Sequence, residues 1–382
     1  MIIAYGGRNC WSFNEWMEIN LRINKNVPSE YGFSDKSVVP ALCFEGANAS
    51  GKSSSLRVLS FIMDFALNSF FNTSPEITYD TFFNNNDESE FFLEFSLIGD
   101  VEKEYTYEMK IDKHTVFYER LYYKNKGKKE YIIKRSGNTI RFSTFDADTS
   151  NLILKSNASF ISTFIQYGVP EIMPFKEFFS SIISNVSYTG NIETRLTDYV
   201  ADFYYSHPGI HKKVCEKLKE FDTGIENIEI LKGADQYGKS IYMSVFKHTA
   251  EIENSKLNYY SQSTGTQLLY NRLLDFFLTI ENGGVLVFDE LDCHLHSEIV
   301  PFLLEFFLDE DNNTKHAQLI FTSHDSELLD KMKKYRTYLF HKENGESICY
   351  RIDELPDNIG YRNDRPLSQK YRTGLIGGRP NV

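Results

Sequence analysis

The sequence predicts an α/β fold that also contains an antiparallel β lobe and a helical insert, and three observations predict it. First, a buried apolar run at 41–44 is followed by a glycine-serine loop and then by a helix with one apolar face. Second, residues 90–143 alternate between apolar and polar types in short runs separated by turn residues. Third, two further buried runs, at 285–288 and 318–322, alternate with helical patterns. Buried strands joined by helices therefore form the core, and the alternating region forms a separate lobe.

Each element has its own sequence pattern along the chain. Residues 1–45 have the pattern of strands, with strict apolar and polar alternation at 17–23. The helix after the glycine-serine loop has an apolar face formed by Leu56, Leu59, Met63, Ala66 and Leu67. From about 152 to 221 the pattern becomes helical and serine-rich, with breaks at Pro170 and Pro174. Strands and helices then alternate, at 228–230, at 241–245, after Gly265 and at 298–308.

Charge and cysteine content exclude several classes of protein. The chain has 41 Lys and Arg residues against 53 Asp and Glu residues, a formal charge of −12. This acidity argues against binding of nucleic acid by bulk charge, although it leaves room for a local basic patch. The five cysteines are far apart and form no CxxC pair, which argues against a disulfide framework or a zinc knuckle and favours the reducing cytosol. We see neither a signal peptide nor a membrane-length apolar stretch, so we expect a cytoplasmic protein with no membrane partner.

Residues 46–53, Gly-Ala-Asn-Ala-Ser-Gly-Lys-Ser, fit the pattern G-x-x-x-x-G-K-[ST] between a predicted buried strand and a predicted helix. In this context backbone N–H groups and the helix N-terminus bind phosphate, Lys52 reaches the β- and γ-phosphates, and the Ser53 hydroxyl ligates Mg²⁺. ATP and Mg²⁺ are therefore the expected cofactors. The candidate cofactor-binding residues in this segment are Gly46, Ala47, Asn48, Ala49, Ser50, Gly51, Lys52, Ser53 and Ser54.

A pair of acidic residues ends another predicted strand. Residues 285–288 are apolar and are followed by Asp289 and Glu290, which is the form of a Walker B segment. Asp289 would hold Mg²⁺ directly or through water, and Glu290 would polarise the attacking water. A strand that ends in Asp-Glu is common by itself, but the phosphate loop upstream favours the catalytic interpretation.

Two more segments narrow the class. Residues 261–269 form a Ser/Gly/Thr loop that opens an apolar helix, and this helix N-terminus would bind a second anion. Because it lies too far along one chain to share the first loop's phosphates, we expect it to cap the ATP of a partner subunit. Residues 318–325 form another buried strand with His324 at its end. His324 would contact the γ-phosphate and report its presence.

Together these motifs carry a resemblance. Four segments, in this order and spacing, resemble the nucleotide-binding heads of ABC-type ATPases in the branch with SMC, RecF and OLD proteins: 46–53, 263–266 (the signature segment), 289–292 and 323–324. More narrowly, the segment 289–296 and the closing segment 371–380 look like the stand-alone ATP-binding proteins of the Rlo/AbiL kind. Those are bacterial proteins encoded near restriction or abortive-infection genes. The resemblance covers both ends of the chain and is weak across roughly 145–230.

The resemblance implies an α/β P-loop NTPase fold of the ABC-ATPase head type, with ATP hydrolysis as the activity. In such heads two subunits close head-to-tail around two ATP molecules, so Ser263 and Gly265 would act in trans and Asp292 would lie at the dimer seam. The implied catalytic residues are Glu290, His324 and Lys52, and the implied Mg²⁺ ligands are Ser53 and Asp289. The expected partners are further copies of the chain, in a homodimer or higher homo-oligomer, and a separate effector protein.

We expect five segments along the chain. Residues 1–80, with the phosphate loop, and 226–345, with the signature, the Walker B segment and His324, would form the ATPase core. An antiparallel β lobe at 81–145 and a helical insert at 146–225 would lie between them. Residues 346–382 would form a C-terminal tail.

The sequence departs from the family pattern at two places. Relatives tend to show N-F-[RK]-S-F near the start, whereas this chain has Trp11 in place of the basic residue that would approach the nucleotide. The Gln usually found between the phosphate loop and the signature has no clear counterpart, because Gln166 lies in the poorly matched insert. Coupling of ATP to the lobe would therefore use another group.

Two other features have plain structural explanations. His294 and His296 supply two metal ligands without a clear third, so we favour a structural turn over a metal site. A group of lysines looks like the tip of a hairpin, for which a solvated turn is favoured over a contact with nucleic acid or a partner. These lysines are Lys124, Lys126, Lys128 and Lys129.

The leading hypothesis is Mg²⁺-dependent ATP hydrolysis by the regulatory or sensor ATPase of a bacterial anti-phage system of the abortive-infection kind. We expect a nuclease or toxin effector to be a separate chain. Only 58 residues follow His324, and they do not contain the sequence pattern of a Toprim nuclease metal site. Two alternatives stay open. One is a DNA-repair ATPase like RecF, and the other is a non-enzymatic scaffold that ATP gates with negligible turnover.

Overall fold

The computed structural model of the protein describes residues 1–23, 27–35, 37–97, 100–142, 153–191, 197–221, 223–250, 255–355 and 366–378. The strands are β1 (Ile2–Arg8), β2 (Met17–Asn20), β3 (Ala41–Gly46), β4 (Ser89–Leu97), β5 (Asp100–Ile111), β6 (Val116–Asn125), β7 (Lys128–Ser136), β8 (Thr139–Phe142), β9 (Ile182–Ser184), β10 (Val186–Ser187), β11 (Gly190–Asn191), β12 (Ile225–Ala234), β13 (Ser240–His248), β14 (Lys256–Asn258), β15 (Val285–Phe288), β16 (Gln318–Thr322), β17 (Thr337–Glu343) and β18 (Glu346–Arg351). The α-helices are α1 (Lys52–Asn68), α2 (Phe160–Gln166), α3 (Met173–Ser180), α4 (Thr197–Ser206), α5 (Pro208–Glu220), α6 (Thr264–Asn282), α7 (Ile299–Leu308), α8 (Leu328–Met332) and α9 (Leu367–Arg372). Of the helices in these ranges, none is long and apolar enough to cross a membrane.

The core sheet has the strand order β18-β17-β3-β16-β15-β9. Its neighbours pair in parallel, except that β18 runs antiparallel to β17. The register pairs Phe44 with Thr322 and Phe288 with Phe321, so β3, β16 and β15 end at the same edge. These three strands are buried along their whole length, as expected for parallel strands that are covered on both faces. The edge at which they end carries the candidate site.

The antiparallel sheet has the strand order β2-β1-β4-β5-β6-β7-β8. β2 shows why its pattern suits this sheet, because Met17 and Ile19 are buried whereas Glu18 between them is exposed. That alternation is typical of a strand with one face on a core and the other in solvent. A separate small sheet of β12, β13 and β14 precedes the helix α6.

Helix α1 lies between the two large sheets. One cluster of buried side chains unites this helix with the inner face of the antiparallel sheet and one face of the core sheet, through residues such as Leu56, Phe91 and Phe44. The opposite face of the core sheet, with Cys43 and Phe288, packs in a second cluster against α4, α5, α6 and α7. Adjacent residues of β3 thus enter different clusters, which fixes this strand in the middle of the molecule.

Strand pairing crosses the boundaries that the sequence pattern suggests. β1 and β2, from the first expected segment, join the antiparallel sheet, and β9, from the expected helical insert, joins the core sheet next to β15. β18, from the expected C-terminal tail, also joins the core sheet. The physical reason is that periodicity reports how a strand is buried and not which partner it pairs with. The division into domains remains a prediction, and these pairings show only that each large sheet takes strands from more than one of the expected segments.

Candidate nucleotide-binding site

The phosphate loop joins the end of β3 to the start of α1 along a path that requires two glycines. Gly46 and Gly51 have φ values of 154° and 112°, which L side chains rarely adopt. A Cβ atom on Gly46 would lie 2.3 Å from the carbonyl oxygen of Phe340, and one on Gly51 would lie 2.4 Å from Ser347 Oγ. The loop therefore lies directly against β17 and β18, and a larger residue at either position would displace it.

Lys52, the first residue of α1, is buried and folds back over the loop. Its Nζ donates hydrogen bonds to the carbonyl oxygens of Gly46, at 2.6 Å, and Ala47, at 3.2 Å. Burial lowers the pKa of Lys52, and the acidic side chains of Glu45 and Asp289 oppose that shift. The ammonium group is thus held on the loop whose phosphate it would contact.

The other residues of the phosphate loop differ in how exposed their side chains are to solvent. Asn48 and Ala49 are exposed at the tip of the loop, and Ala47 and Ser54 are half-buried. Ser50 is 3% exposed, and no group in the described residues forms a hydrogen bond with its Oγ. A buried hydroxyl without a partner beside a helix N-terminus is chemically suited to a phosphate oxygen.

Asp289, at the end of β15, lies next to the first turn of α1. Ser53 Oγ donates a hydrogen bond to Asp289 Oδ1 at 3.1 Å, and Thr322 Oγ1 donates to the same oxygen at 2.6 Å. The two residues that the sequence assigns to Mg²⁺ are therefore in direct contact. Both present oxygen atoms, the ligands that Mg²⁺ prefers.

Glu290 and His324 face each other across the ends of β15 and β16. Glu290 has a positive φ of 54°, and its N–H donates to Thr322 Oγ1 at 2.7 Å. Glu290 Oε1 lies 3.9 Å from His324 Nε2, and both side chains are partly exposed at the edge of the core sheet. The N–H of His324 donates to Asp292 Oδ2 at 3.0 Å. The structure thus brings the proposed base, the histidine and Asp292 to the same edge as Asp289.

Two further polar residues belong to this edge and escaped the sequence patterns. Thr322 bonds both acidic positions, as described above. Asn185, which follows β9, accepts a hydrogen bond from Asp289 N–H at 2.7 Å and donates one to the Asp289 carbonyl at 3.1 Å. Gln166, by contrast, is exposed at the end of α2. Thr322 ends an apolar run and Asn185 follows two isoleucines, with one serine between, and such a position is a weak signal in the sequence.

The signature segment forms the N-terminus of α6 and is exposed. Ser263 caps the helix, because its Oγ accepts a hydrogen bond from Thr266 N–H at 3.2 Å and contacts Thr266 Oγ1 at 2.9 Å. Thr264 is also exposed, and Gly265 is half-buried. The Ser263 side chain therefore bonds an N–H group of its own helix end, and Ser263 and Thr264 stay accessible to solvent.

Farther along, α6 is fixed to the segment that follows Glu290. The buried guanidinium of Arg272 donates to the carbonyl oxygens of Leu291, at 2.9 Å, and Cys293, at 3.1 Å. A Cβ atom on Gly265 would lie 3.1 Å from the carbonyl oxygen of His294. His294 has a φ of 60°, as in a turn, and the described ranges contain no group of three or more His, Cys, Asp or Glu side chains placed to hold a metal ion.

Trp11 occupies the position at which relatives tend to carry a basic residue. Its ring is 8% exposed and makes edge contacts with Phe61, at a centroid distance of 6.1 Å, and Phe91, at 6.4 Å. The residue therefore fills the core between α1 and the antiparallel sheet.

The lysine-rich hairpin joins β6 to β7. Lys124 Nζ lies 3.7 Å from a carboxylate oxygen of Glu94, and Lys129 Nζ lies 3.7 Å from one of Glu108. Lys126 has a positive φ of 48° in the turn itself. These pairs offset part of the positive charge, and contact with nucleic acid at the hairpin stays a prediction.

Comparison with known proteins identifies the architecture. The family model described as "AAA domain, putative AbiEii toxin, Type IV TA system" matches residues 43–330, about three quarters of the chain.

Among solved structures, the chain is similar to an SMC head bound to the C-winged helix domain of ScpA, with 13% identity, a TM-score of 0.52, and coverage of 92% of this chain and 99% of that chain. It is also similar to the SMC head domain from Thermotoga maritima, with 13% identity, a TM-score of 0.44, and coverage of 92% and 98%. No curated protein matches the chain. The expected α/β P-loop fold of the ABC-ATPase head type is confirmed.

Proposed function

The chain belongs to the family of AAA domains whose model it matches over residues 43–330, and from this premise we propose that it hydrolyses ATP with Mg²⁺ as a head-to-tail dimer. The dimer is the regulatory ATPase of a bacterial anti-phage system in the cytoplasm and controls a separate effector. The single observation that carries the proposal is the contact between Ser53 Oγ and Asp289 Oδ1, at 3.1 Å, next to the buried Lys52.

The residues present fit Mg²⁺ and ATP. Ser53 and Asp289 would hold the ion, which neutralises phosphate charge when bound. Lys52 and the backbone N–H groups at the start of α1 would bind the phosphates, and the unpaired hydroxyl of Ser50 adds a further donor. These groups come from one loop and one strand end, so a single chain supplies the whole phosphate-binding half of the site.

Glu290 is placed to act as the general base. Its carboxylate is partly exposed, so it can reach a water molecule, and its backbone is fixed by the bond to Thr322. His324, at 3.9 Å from Glu290, would contact the γ-phosphate. Asn185 would take the place of the missing Gln, because it links β9 to the backbone of Asp289.

The signature supports the dimer. Ser263 and Thr264 at the start of α6 are exposed, and a helix N-terminus attracts anions. In a head-to-tail dimer, Ser263 and Gly265 of each subunit would face the ATP held by the other, and Asp292 would lie at the seam. Each site is then complete only when the two subunits are together, which couples ATP binding to assembly.

The control of an effector rests on two likenesses. The description of the family names a toxin and a type IV toxin–antitoxin system, and the motif at 289–296 and the closing segment resemble proteins of the Rlo/AbiL kind. Both likenesses associate the ATPase with a toxin or with abortive-infection genes. We infer that ATP turnover in the dimer sets the state of a nuclease or toxin carried by another chain.

The proposal is tested by ATP turnover and sizing of three variants. Lys52→Ala should abolish ATP binding, because it removes the cation that reaches the phosphates. Glu290→Gln should bind ATP, hydrolyse it about 10²–10⁴-fold more slowly, and accumulate as an ATP-loaded dimer. Glu305→Gln is a matched control, because this exposed carboxylate pairs with Lys331 on the surface.

Three results would each change the proposal in a distinct way. Unchanged ATP affinity in Lys52→Ala would reject the phosphate site. Negligible turnover of the wild type despite tight ATP binding would favour the scaffold. Turnover that DNA stimulates without any companion protein would favour a repair ATPase over a defence ATPase.

A further inference from the structure

The C-terminal segment returns to the phosphate loop. After α9 the chain reaches Gly378, whose carbonyl oxygen accepts a hydrogen bond from Ala47 N–H at 2.9 Å. Ala47 is the second residue of the phosphate loop, so this bond ties the loop's backbone to a segment more than 300 residues away in sequence. The segment also lies outside residues 43–330, which the family model matches.

Two tyrosine hydroxyls and a small apolar cluster hold the segment that carries the Gly378 carbonyl. Tyr350 Oη donates a hydrogen bond to the Ile376 carbonyl at 2.8 Å, and Tyr371 Oη donates to the Gly378 carbonyl at 3.2 Å. Ile376 is 2% exposed. It belongs to a small apolar cluster formed by Leu329, Leu339, Ile352, Tyr371 and Ile376. Two phenol groups and this cluster therefore fix the loop that carries the carbonyl.

The other end of the segment holds the stretch that follows His324. Arg372 Nε donates to Ser326 Oγ at 3.0 Å, and Arg372 Nη2 donates to Glu327 Oε1 at 3.2 Å. Ser368 Oγ donates to the carboxylate of Asp330 on α8. One short segment thus contacts both the phosphate loop and the chain immediately after the histidine that faces Glu290.

We propose that residues 367–378 form a clamp that positions the phosphate loop for ATP, and that Gly378 is its positioning residue. The proposal rests on the binding of ATP by the phosphate loop, as proposed above. Backbone N–H groups bind phosphate well only when the loop is preorganised. The Ala47 peptide lies where the loop leaves β3, so the clamp holds the loop at its origin. Loosening the clamp weakens ATP binding, whereas Asp289 and Glu290 keep their hydrogen bonds with Thr322.

Three glycines of the segment give a matched experiment. Gly374, Gly377 and Gly378 have φ values of 76°, 76° and 74°, so alanine strains the backbone equally at each position. A Cβ atom on Gly377 would lie 2.5 Å from Tyr350 Oη and would displace that hydroxyl from Ile376, and one on Gly378 would lie 3.2 Å from Tyr371. One on Gly374 would have no atom within 4 Å. Gly374→Ala is therefore the control for backbone strain alone.

The readout is KM and kcat for Mg²⁺-ATP, together with the melting temperature. We expect Gly377→Ala and Gly378→Ala to raise KM about five- to tenfold above Gly374→Ala, with kcat within about twofold, as the loss of one or two hydrogen bonds would do. A purely structural role would lower the melting temperature and leave KM unchanged. Tyr350→Phe, which removes the bond to Ile376 without adding an atom, should raise KM about two- to threefold.

A rescue makes the test independent of folding losses. Gly377→Ala collides with the Tyr350 hydroxyl and otherwise comes no closer than 3.8 Å to that ring. Adding Tyr350→Phe to Gly377→Ala removes the collision, so KM should return to the value of Tyr350→Phe alone. Equal KM values for all three glycine variants would overturn the clamp while leaving ATP hydrolysis in place. A wild type that binds no Mg²⁺-ATP would overturn the proposed function and the clamp with it.

Discussion

The two helix N-termini of the candidate site differ in how much of their surroundings the chain supplies. At the start of α1, Gly51 packs against Ser347, Lys52 is 6% exposed, and Ala47 is bonded to Gly378. At the start of α6, Ser263 is exposed and its hydroxyl bonds its own first turn. Both ends carry the partial positive charge of a helix N-terminus. One is already enclosed by its own chain, and the other is presented at the surface.

The exposed end of α6 is the one that a second subunit can reach. A helix end that is buried under strands β17 and β18 cannot be approached from that side by another subunit. The exposed end belongs to α6, which Arg272 ties to the segment after Glu290, so this end is accessible to a partner beside the acidic residues. The dimer proposal therefore depends on the exposed end, and substitutions at that end test it most directly.

The largest effect is expected when the exposed helix end is given a negative charge. Ser263→Asp keeps a good N-cap, because Asp caps a helix as well as Ser does, but it puts a carboxylate where a partner's γ-phosphate would lie. We expect ATP turnover to fall below about 1% of wild type, since like charges at about 4 Å repel strongly in a water-poor site. Ser263→Asn, which caps equally well without charge, should keep most of the turnover.

Mixing decides whether this residue acts across the dimer. In a mixed dimer of Ser263→Asp and Lys52→Ala subunits, one composite site has both changes and the other has none. Turnover should therefore return to at most about half of the wild-type value per dimer, because the two sites are equivalent by symmetry. No return of turnover in a mixed dimer that demonstrably forms would mean that the sites are strictly coupled or that the signature acts within its own chain.

The residues of the site that lie in local sequence patterns could be predicted, whereas those from distant parts of the chain could not. Residues 46–53 and 285–290 are local patterns, each a strand followed by a fixed spacing of chemical groups, so their positions and their meeting at one edge could be predicted. Thr322, Asn185 and Gly378 touch the same site from three other parts of the chain. Their contacts depend on the order of strands in the core sheet and on the return of the C-terminal segment, and no local spacing encodes either.

The next effect concerns Thr322, which fixes both acidic residues from β16. Thr322→Val removes the bond to Asp289 and leaves the N–H of Glu290 without its acceptor, so kcat should fall about tenfold or more. Thr337→Val is the matched control, because Thr337 is equally buried in the core sheet and bonds the carbonyl of Lys333 instead. Both variants should lose about 1–3 kcal/mol in the free energy of unfolding. A similar kcat for both would contradict the role of Thr322.

The smallest effect on turnover, and a clear effect on stability, is expected at Glu45, beneath the enclosed helix end. Glu45 is 1% exposed, and its Oε1 has no hydrogen-bond partner among the residues that the structure describes. Burial raises the pKa of Glu45 from 4.5 to about 8. Lys52 opposes the shift, whereas the carboxylates of Asp292 and Asp325 add to it. The folded protein therefore keeps a neutral carboxyl at neutral pH, next to the phosphate lysine.

The sign of the pH dependence follows from the direction of that shift. Between pH 4.5 and about 8 the unfolded chain has released the Glu45 proton and the folded protein still holds it, so this residue makes the free energy of unfolding fall as the pH rises. Glu45→Gln removes the titration, so its advantage over wild type should grow by about 1.4 kcal/mol per pH unit across that window and then level off. Urea unfolding between about pH 5 and about pH 9 measures the difference. Glu45→Asp keeps an ionisable carboxyl at the same position, so its profile should run parallel to that of wild type. A constant gap between Glu45→Gln and wild type at every pH would mean that Glu45 is already ionised in the folded protein, and that the chain tolerates a buried charge beneath α1.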